Sequence, residues 1–223
     1  MSEIKAVLFD LDGTLLDTWD DIVSAINYML EKYGYEKRSR MEIRSFLGNG
    51  ARDLVMRSLP FDVDKNTFEA FLEEYKAYYN EHSRILTKPY DGVIDVLTAL
   101  KKRNILTAVV SNKPDLTVRG LCDQYFEGLI DFSVGDRPDL QRKPSADPIN
   151  FAIDKLGCTK AVYVGDSEVD VLAASNAKRP CVSVTWGFRD RDVLEECGAS
   201  VFADDADELL CKLYELLGEA EIK

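Results

Sequence analysis

The chain is short of histidine, of paired cysteines, of basic charge and of long apolar runs. Each shortage removes a class of function. There is one histidine, His82, set in the polar stretch Asn80-Glu81-His82-Ser83. A histidine metal cage or a Ser-His-Asp triad would have to rest on it, and its surroundings read as surface. The five cysteines are odd in number and none shows CxxC spacing, so neither a disulfide framework nor a structural zinc site is expected. No stretch approaches the ~20 apolar residues of a membrane span, and Met1–Leu8 has no signal-peptide pattern. A cytoplasmic location and no membrane partner are expected. Lysine and arginine number 28 against 40 aspartates and glutamates, a formal net charge of −12. That balance keeps a protein in solution and argues against a nucleic-acid partner, which needs a basic face for phosphates. It also sits awkwardly with any polyanionic substrate.

What is present is a regular alternation. Short, β-branched or aromatic runs occur at Val7–Phe9, Ile105–Val110, Ile130–Val134, Ala161–Val164, Cys181–Val184 and Ser200–Phe202. They lack polar alternation, as strands covered on both faces do. The third is the weakest, because Asp131 interrupts it. Between them lie helical stripes such as Val93-Val96-Leu97-Leu100, Ile149-Ile153-Leu156 and Leu209-Leu210-Leu213-Leu216-Leu217. Strand and helix in alternation imply a parallel sheet with right-handed crossovers and chemistry at the strand carboxyl ends. From Thr18 to Thr87 the alternation stops. The stripes Ile22-Ile26-Met29-Leu30-Tyr33 and Phe68-Phe71-Leu72-Tyr75-Tyr79, with shorter helices at Met41–Leu47 and Ala51–Leu59, make this an all-helical insert, punctuated by Gly48-Asn49-Gly50.

Four strand ends carry polar residues: Asp10-Leu11-Asp12-Gly13-Thr14, Ser111-Asn112-Lys113-Pro114, Lys143-Pro144 (after an irregular loop) and Gly165-Asp166-Ser167-Glu168-Val169-Asp170. Taken singly, each has a plain structural explanation. A DxD can be a turn, Ser111 and Asp166 can be helix N-caps, and Lys143 can be a solvated loop lysine. Together, at one edge of one sheet, they gather Asp10, Asp12, Asp166 and Asp170 in a single cleft. Such crowding requires a cation, and oxygen ligands without His or Cys favour Mg²⁺. Ser111, Asn112 and Lys143 would hold phosphate oxygens, which makes the cleft a phosphoryl-transfer site.

In these motifs the chain resembles the haloacid dehalogenase-like hydrolases, in the subfamily with a helical cap after the first strand. Gly48-Asn49-Gly50, Tyr90-Asp91-Gly92-Val93 and Val110-Ser111-Asn112-Lys113-Pro114 look most like the phosphoglycolate phosphatases within it. The resemblance implies an α/β fold: a doubly wound parallel sheet (a Rossmann-like core, residues 1–17 and 88–223) with an inserted all-helical cap domain, residues 18–87. It implies Asp10 as the nucleophile and Asp12 as the acid and base. Asp10, Asp166 and the carbonyl of Asp12 would bind Mg²⁺, Asp170 and Thr14 would support the site, and Ser111, Asn112 and Lys143 would bind phosphate. The substrate would be a small phosphorylated metabolite, 2-phosphoglycolate above others, and the protein a monomer or homodimer. Arg52 has two readings, one facing the cleft to meet a substrate carboxylate and one as a plain surface charge. Rival readings are a pyrophosphatase or sugar phosphomutase of the same fold, and a binding module without catalysis. A true dehalogenase lacks the second aspartate that here is Asp12. The chain departs from the family pattern at Ala146, where a second proline is usual, and at Lys178, where a glycine is usual. A lysine suits a left-handed helix cap poorly, so a different cap, at Asn176, is expected there.

Overall fold

The computed structural model describes residues 3–219. Eight strands and ten helices follow one another in the described residues. Six strands make one parallel sheet: β1 (Lys5–Phe9), β4 (Leu106–Pro114), β5 (Phe132–Asp136), β6 (Lys160–Gly165), β7 (Cys181–Val184) and β8 (Phe202–Ala203). Their order is β5-β4-β1-β6-β7-β8. The chain therefore leaves β1 for one side of the sheet and later returns to its other side at β6. The carboxyl ends of β1, β4 and β6 flank that reversal, which is where open α/β sheets bind ligands.

β1 shows why its sequence lacks polar alternation. Val7 and Phe9 join one apolar cluster, with α5 (Val93–Lys102) and α10 (Ala206–Leu217). Ala6 and Leu8 join another, with α7 (Asp147–Leu156) and α8 (Glu168–Asn176). All four are fully buried, so successive side chains enter opposite layers. The third strand starts later than its apolar run suggests, at Phe132. Asp131 stays outside it because its carboxylate accepts from the Thr107 backbone N–H at 2.8 Å and so caps the entry to β4.

The helical insert is α1 (Trp19–Lys32), α2 (Arg40–Phe46), α3 (Ala51–Ser58) and α4 (Lys65–His82). These pack around their own buried cluster, centred on Ile26, Met29, Leu30, Ile43, Val55 and Phe71. The insert leaves and rejoins the sheet through two short strands, β2 (Leu16–Asp17) and β3 (Lys88–Pro89), which pair antiparallel. Buried Asp21 ties the returning chain to α1. Its carboxylate accepts from the backbone N–H groups of Ile85, Leu86 and Thr87 and from the Thr87 hydroxyl.

One local expectation is overturned. α8 ends on Ala177, and Lys178 itself takes the left-handed conformation, with φ of 54°. Lys178 N–H donates to Ser175 O at 3.0 Å and Arg179 N–H to Ala174 O at 2.9 Å. That is a Schellman ending, and its two hydrogen bonds hold a lysine where glycine is usual. Among the described residues, no helix is long and apolar enough to cross a membrane.

Candidate active site

Asp10 follows β1 directly and is 7% exposed; its backbone N–H donates to Val164 O of β6 at 2.8 Å. The chain then folds back, with Leu11 O accepting from the N–H groups of Leu15 and Leu16. Gly13 sits in this turn at φ of 87°. A Cβ there would come within 2.3 Å of Asp166 Oδ2, so only glycine lets the turn close over that carboxylate.

Asp166, beyond the end of β6, is fully buried. Its Oδ1 accepts from the Thr14 hydroxyl at 3.0 Å and its Oδ2 from the Phe188 backbone N–H at 2.7 Å. Each oxygen keeps a lone pair. Asp170, in the first turn of α8, is saturated instead. Its Oδ1 accepts from Lys143 Nζ at 2.7 Å, and its Oδ2 accepts from the backbone N–H and hydroxyl of Ser167. One ligand atom from each of Asp10, Asp166 and Asp170 lies within 4.8 Å of the others.

Lys143 is the counter-charge, 2% exposed before a cis peptide to Pro144. Besides Asp170 it donates to the Tyr163 hydroxyl at 2.9 Å. It also stands 2.8 Å from Asp10 Oδ1 as an ion pair without hydrogen-bond angles, leaving that buried oxygen with no hydrogen-bond donor. Burial opposes the ammonium charge, but the Asp10 and Asp170 carboxylates more than offset it and hold Lys143 protonated. Burial pushes the Asp10 carboxyl up to about 7 against the pull of Lys143. Burial, with Asp170 and Asp10 nearby, raises Asp166 well above the ordinary range.

Three clustered carboxylates and one ammonium, which pairs with two of them, carry an excess of two negative charges when ionised. The remaining lone pairs of Asp166 and of the Asp10 carboxylate can accept a cation that offsets that excess. An oxygen-only donor set of this kind fits a hard divalent cation.

β4 supplies the second group through a bulge. Val110 pairs with Val134, yet Pro114 pairs with Asp136. Two extra residues on β4 push Ser111-Asn112-Lys113 out of the ladder towards the cleft. Gly135 admits the bulge, since a Cβ there would lie 2.4 Å from Lys113 O. The Ser111 hydroxyl oxygen accepts from Lys113 N–H at 3.2 Å and its proton is free to donate. Asn112 is placed differently from expectation. Its amide nitrogen donates to Gly48 O at 3.1 Å and Lys143 O at 3.0 Å, while its buried Oδ1 has no donor. In this arrangement its side chain ties the insert to the sheet instead of offering N–H groups to a phosphate.

Arg52 is also elsewhere. Its guanidinium donates two hydrogen bonds to the Glu69 carboxylate of α4, at 2.6 and 3.0 Å, and lies over the Phe68 ring. The neighbouring Gly48, Gly50 and Ala51 line the cleft, but Arg52 does not. From the first turn of α3 its side chain reaches along the insert's outer face, where Glu69 offers a matching carboxylate.

Four residues of the site were given no role by sequence reasoning. Lys113 Nζ donates to Asp12 Oδ1 at 2.7 Å and to the Tyr79 hydroxyl at 2.8 Å. Tyr163 joins Lys143 to Asp170 and Val110 O. Phe188 holds Asp166 through its N–H while its ring belongs to the insert's apolar cluster. Arg189 pairs with Glu168 at 2.6 Å and donates to Arg44 O and Leu47 O at the end of α2. Lys113 was visible as the lysine of Ser111-Asn112-Lys113-Pro114; the others carry no local signal, because their partners lie far along the chain. Insert and sheet enclose a cavity of about 70 Å³ above Asp10, Asp12 and Asp166.

Residues 7–184 match the family described as haloacid dehalogenase-like hydrolase. The chain is 34% identical to phosphoglycolate phosphatase 1 of Pseudomonas aeruginosa over 221 residues, covering 93% of this chain and 79% of that one. It is 30% identical to the N-acetylmuramic acid 6-phosphate phosphatase of the same organism, covering 93% of each. A crystal structure from Lactobacillus delbrueckii subsp. bulgaricus, provisionally assigned as a phosphoglycolate phosphatase, superposes with a TM-score of 0.89 at 33% identity, covering 95% of this chain and 99% of that one. With the fold, the carboxylate cluster and these likenesses in agreement, the chain belongs to the haloacid dehalogenase-like hydrolases, among their phosphatases.

Proposed function

We propose that the protein is a Mg²⁺-dependent phosphatase of a small phosphorylated metabolite, 2-phosphoglycolate above others, and that it works through an aspartyl-phosphate on Asp10. The observation that carries this is the buried Asp10 carboxylate, paired through Oδ1 with the Lys143 ammonium at 2.8 Å and clustered with Asp166.

Asp10, Asp166 and the Asp12 carbonyl would hold Mg²⁺, which when bound offsets the charge of the carboxylates and of the phosphoryl oxygens. Asp10 attacks phosphorus, the ester oxygen departs, and Asp12 gives it a proton. Asp12 then takes a proton from the water that splits the aspartyl-phosphate, so phosphate leaves and Asp10 is restored. Lys143 lies beside the nucleophile and reduces repulsion between two anions. Asp170, with both oxygens occupied, fixes Lys143. The Ser111 hydroxyl donates to a phosphoryl oxygen. Residues 18–87 act as a cap that moves about the β2–β3 pair to admit substrate and exclude water.

Asp10→Asn is expected to lower Mg²⁺-dependent phosphate release from 2-phosphoglycolate by at least ~10⁴-fold. Wild-type turnover by that variant would end the aspartyl-phosphate reading. Parallel assays with pyrophosphate and sugar phosphates test the rivals of the same fold.

A further inference from the structure

Two ammonium groups line the cavity. Lys76 belongs to the outer surface, with its side chain 39% exposed and Glu73 at 2.8 Å. Lys113 is the opposite case. Its side chain is 5% exposed, and it reaches from the β4 bulge across to the insert. There its Nζ meets Asp12 Oδ1 at 2.7 Å and Tyr79 OH at 2.8 Å, above the Tyr79 ring. Both partners are side chains on the cavity wall. An ammonium has three protons, so these two bonds leave one for the cavity. Lys143, the other buried ammonium, has no such freedom, because Asp10, Asp170 and Tyr163 surround it.

Position gives Lys113 its meaning. In the reading above, Asp12 protonates the ester oxygen, so that oxygen must lie against Asp12. A group hydrogen-bonded to Lys113 then lies one side chain away from the ester oxygen. In a 2-phosphoryl carboxylate the carboxyl carbon is two covalent bonds from that oxygen, a spacing that Asp12 and Lys113 together accommodate. Tyr79 adds an apolar face and a hydroxyl that hold the ammonium on the cavity side. A buried cation whose third proton faces the cavity discriminates, since a substrate carboxylate gains a charge-assisted hydrogen bond there that an uncharged group does not. Arg52, turned to Glu69, cannot do this.

We propose that Lys113, held by Tyr79, determines specificity by reading a carboxylate on the carbon next to the phosphate ester. This rests on the phosphatase reading for the placing of the ester oxygen.

The test compares 2-phosphoglycolate with 2-hydroxyethyl phosphate, a nearly isosteric ester without the charge, in Mg²⁺. Wild-type kcat/KM is expected to favour the carboxylate by at least ~100-fold, and Lys113→Met to reduce that ratio by about 100-fold. Tyr79→Phe is expected to reduce it by ~5-fold or more, and it carries the test should Lys113→Met fail to fold. A role limited to Asp12 or to packing lowers both esters alike and leaves the ratio unchanged, which would overturn the assignment. So would a wild-type ratio near one. Calorimetry separates this from the phosphatase reading. Asp10→Asn should bind 2-phosphoglycolate about 100-fold more weakly once Lys113→Met is added. If wild type hydrolyses neither ester yet this loss appears, hydrolysis through Asp10 falls while Lys113 stands. If binding is indifferent to Lys113, the assignment falls whatever the turnover.

Discussion

At the scale of single residues, the carboxylates differ in what surrounds them, and that sets their uses. Asp170 has every oxygen engaged, whereas Asp10 and Asp166 keep open valence. Burial raises the Asp10 and Asp166 carboxyls above the usual aspartate value near 3.8. Between that value and about 7 the metal-free folded state therefore binds more protons than the unfolded chain, and its stability falls as pH rises. With a chelator present, the melting temperature should be at least a few degrees lower at pH 8 than at pH 5; excess Mg²⁺ should remove most of that gap by binding the ionised native state. A chelated protein that melts higher at pH 8 would contradict the account. Asp10, Asp12, Ser111 and Asp166 were legible because each sits at or just past a strand end, and Lys143 because it precedes a proline at the mouth of the next helix. Tyr163 was not, since a tyrosine inside an apolar run reads as core, and only the fold brings its hydroxyl to Lys143.

At the scale of elements, most strands and helices followed from their periodicity, while their irregularities did not. The β4 bulge is invisible in Val109-Val110-Ser111 alone; it exists only in the register against β5. Lys178 shows a local preference losing to its surroundings. Its positive φ still carries a cost, so Lys178→Gly should stabilise the protein by about 0.5–1 kcal/mol, read as a small rise in melting temperature. Asp21 is a harder case for sequence reasoning, because an acidic residue in a first helical turn has an ordinary explanation in the helix dipole. The structure spends its carboxylate on three successive N–H groups 64 to 66 residues away. Asp21→Ala would leave the Thr87 donors unpaired in a buried place, with water able to reach Ile85 and Leu86, and should destabilise the fold by about 1–3 kcal/mol in urea denaturation. A loss within ~0.5 kcal/mol would mean that the linker does not depend on it.

At the scale of the whole molecule, the net charge of −12 and the anionic substrate are reconciled by position. Inside the cleft the acid is concentrated where it could hold a cation, and Lys113 and Lys143 pair with part of it. The remainder is solvated and acts on solubility. Phe188 joins the two halves of this design. Its ring is packed in the helical insert, yet its N–H holds a carboxylate of the sheet. If the insert swings away, the ring loses its pocket and the donor on Asp166 is disturbed. Linkage makes the effect reciprocal: whatever free energy closure adds to cation affinity, the cation returns to closure. Phe188→Ala should therefore weaken Mg²⁺ binding by about 5-fold or more in calorimetry, although the phenyl ring is no ligand. A bound ion would then also be a thermodynamic effector, one that biases the enzyme towards a water-excluding form before substrate arrives.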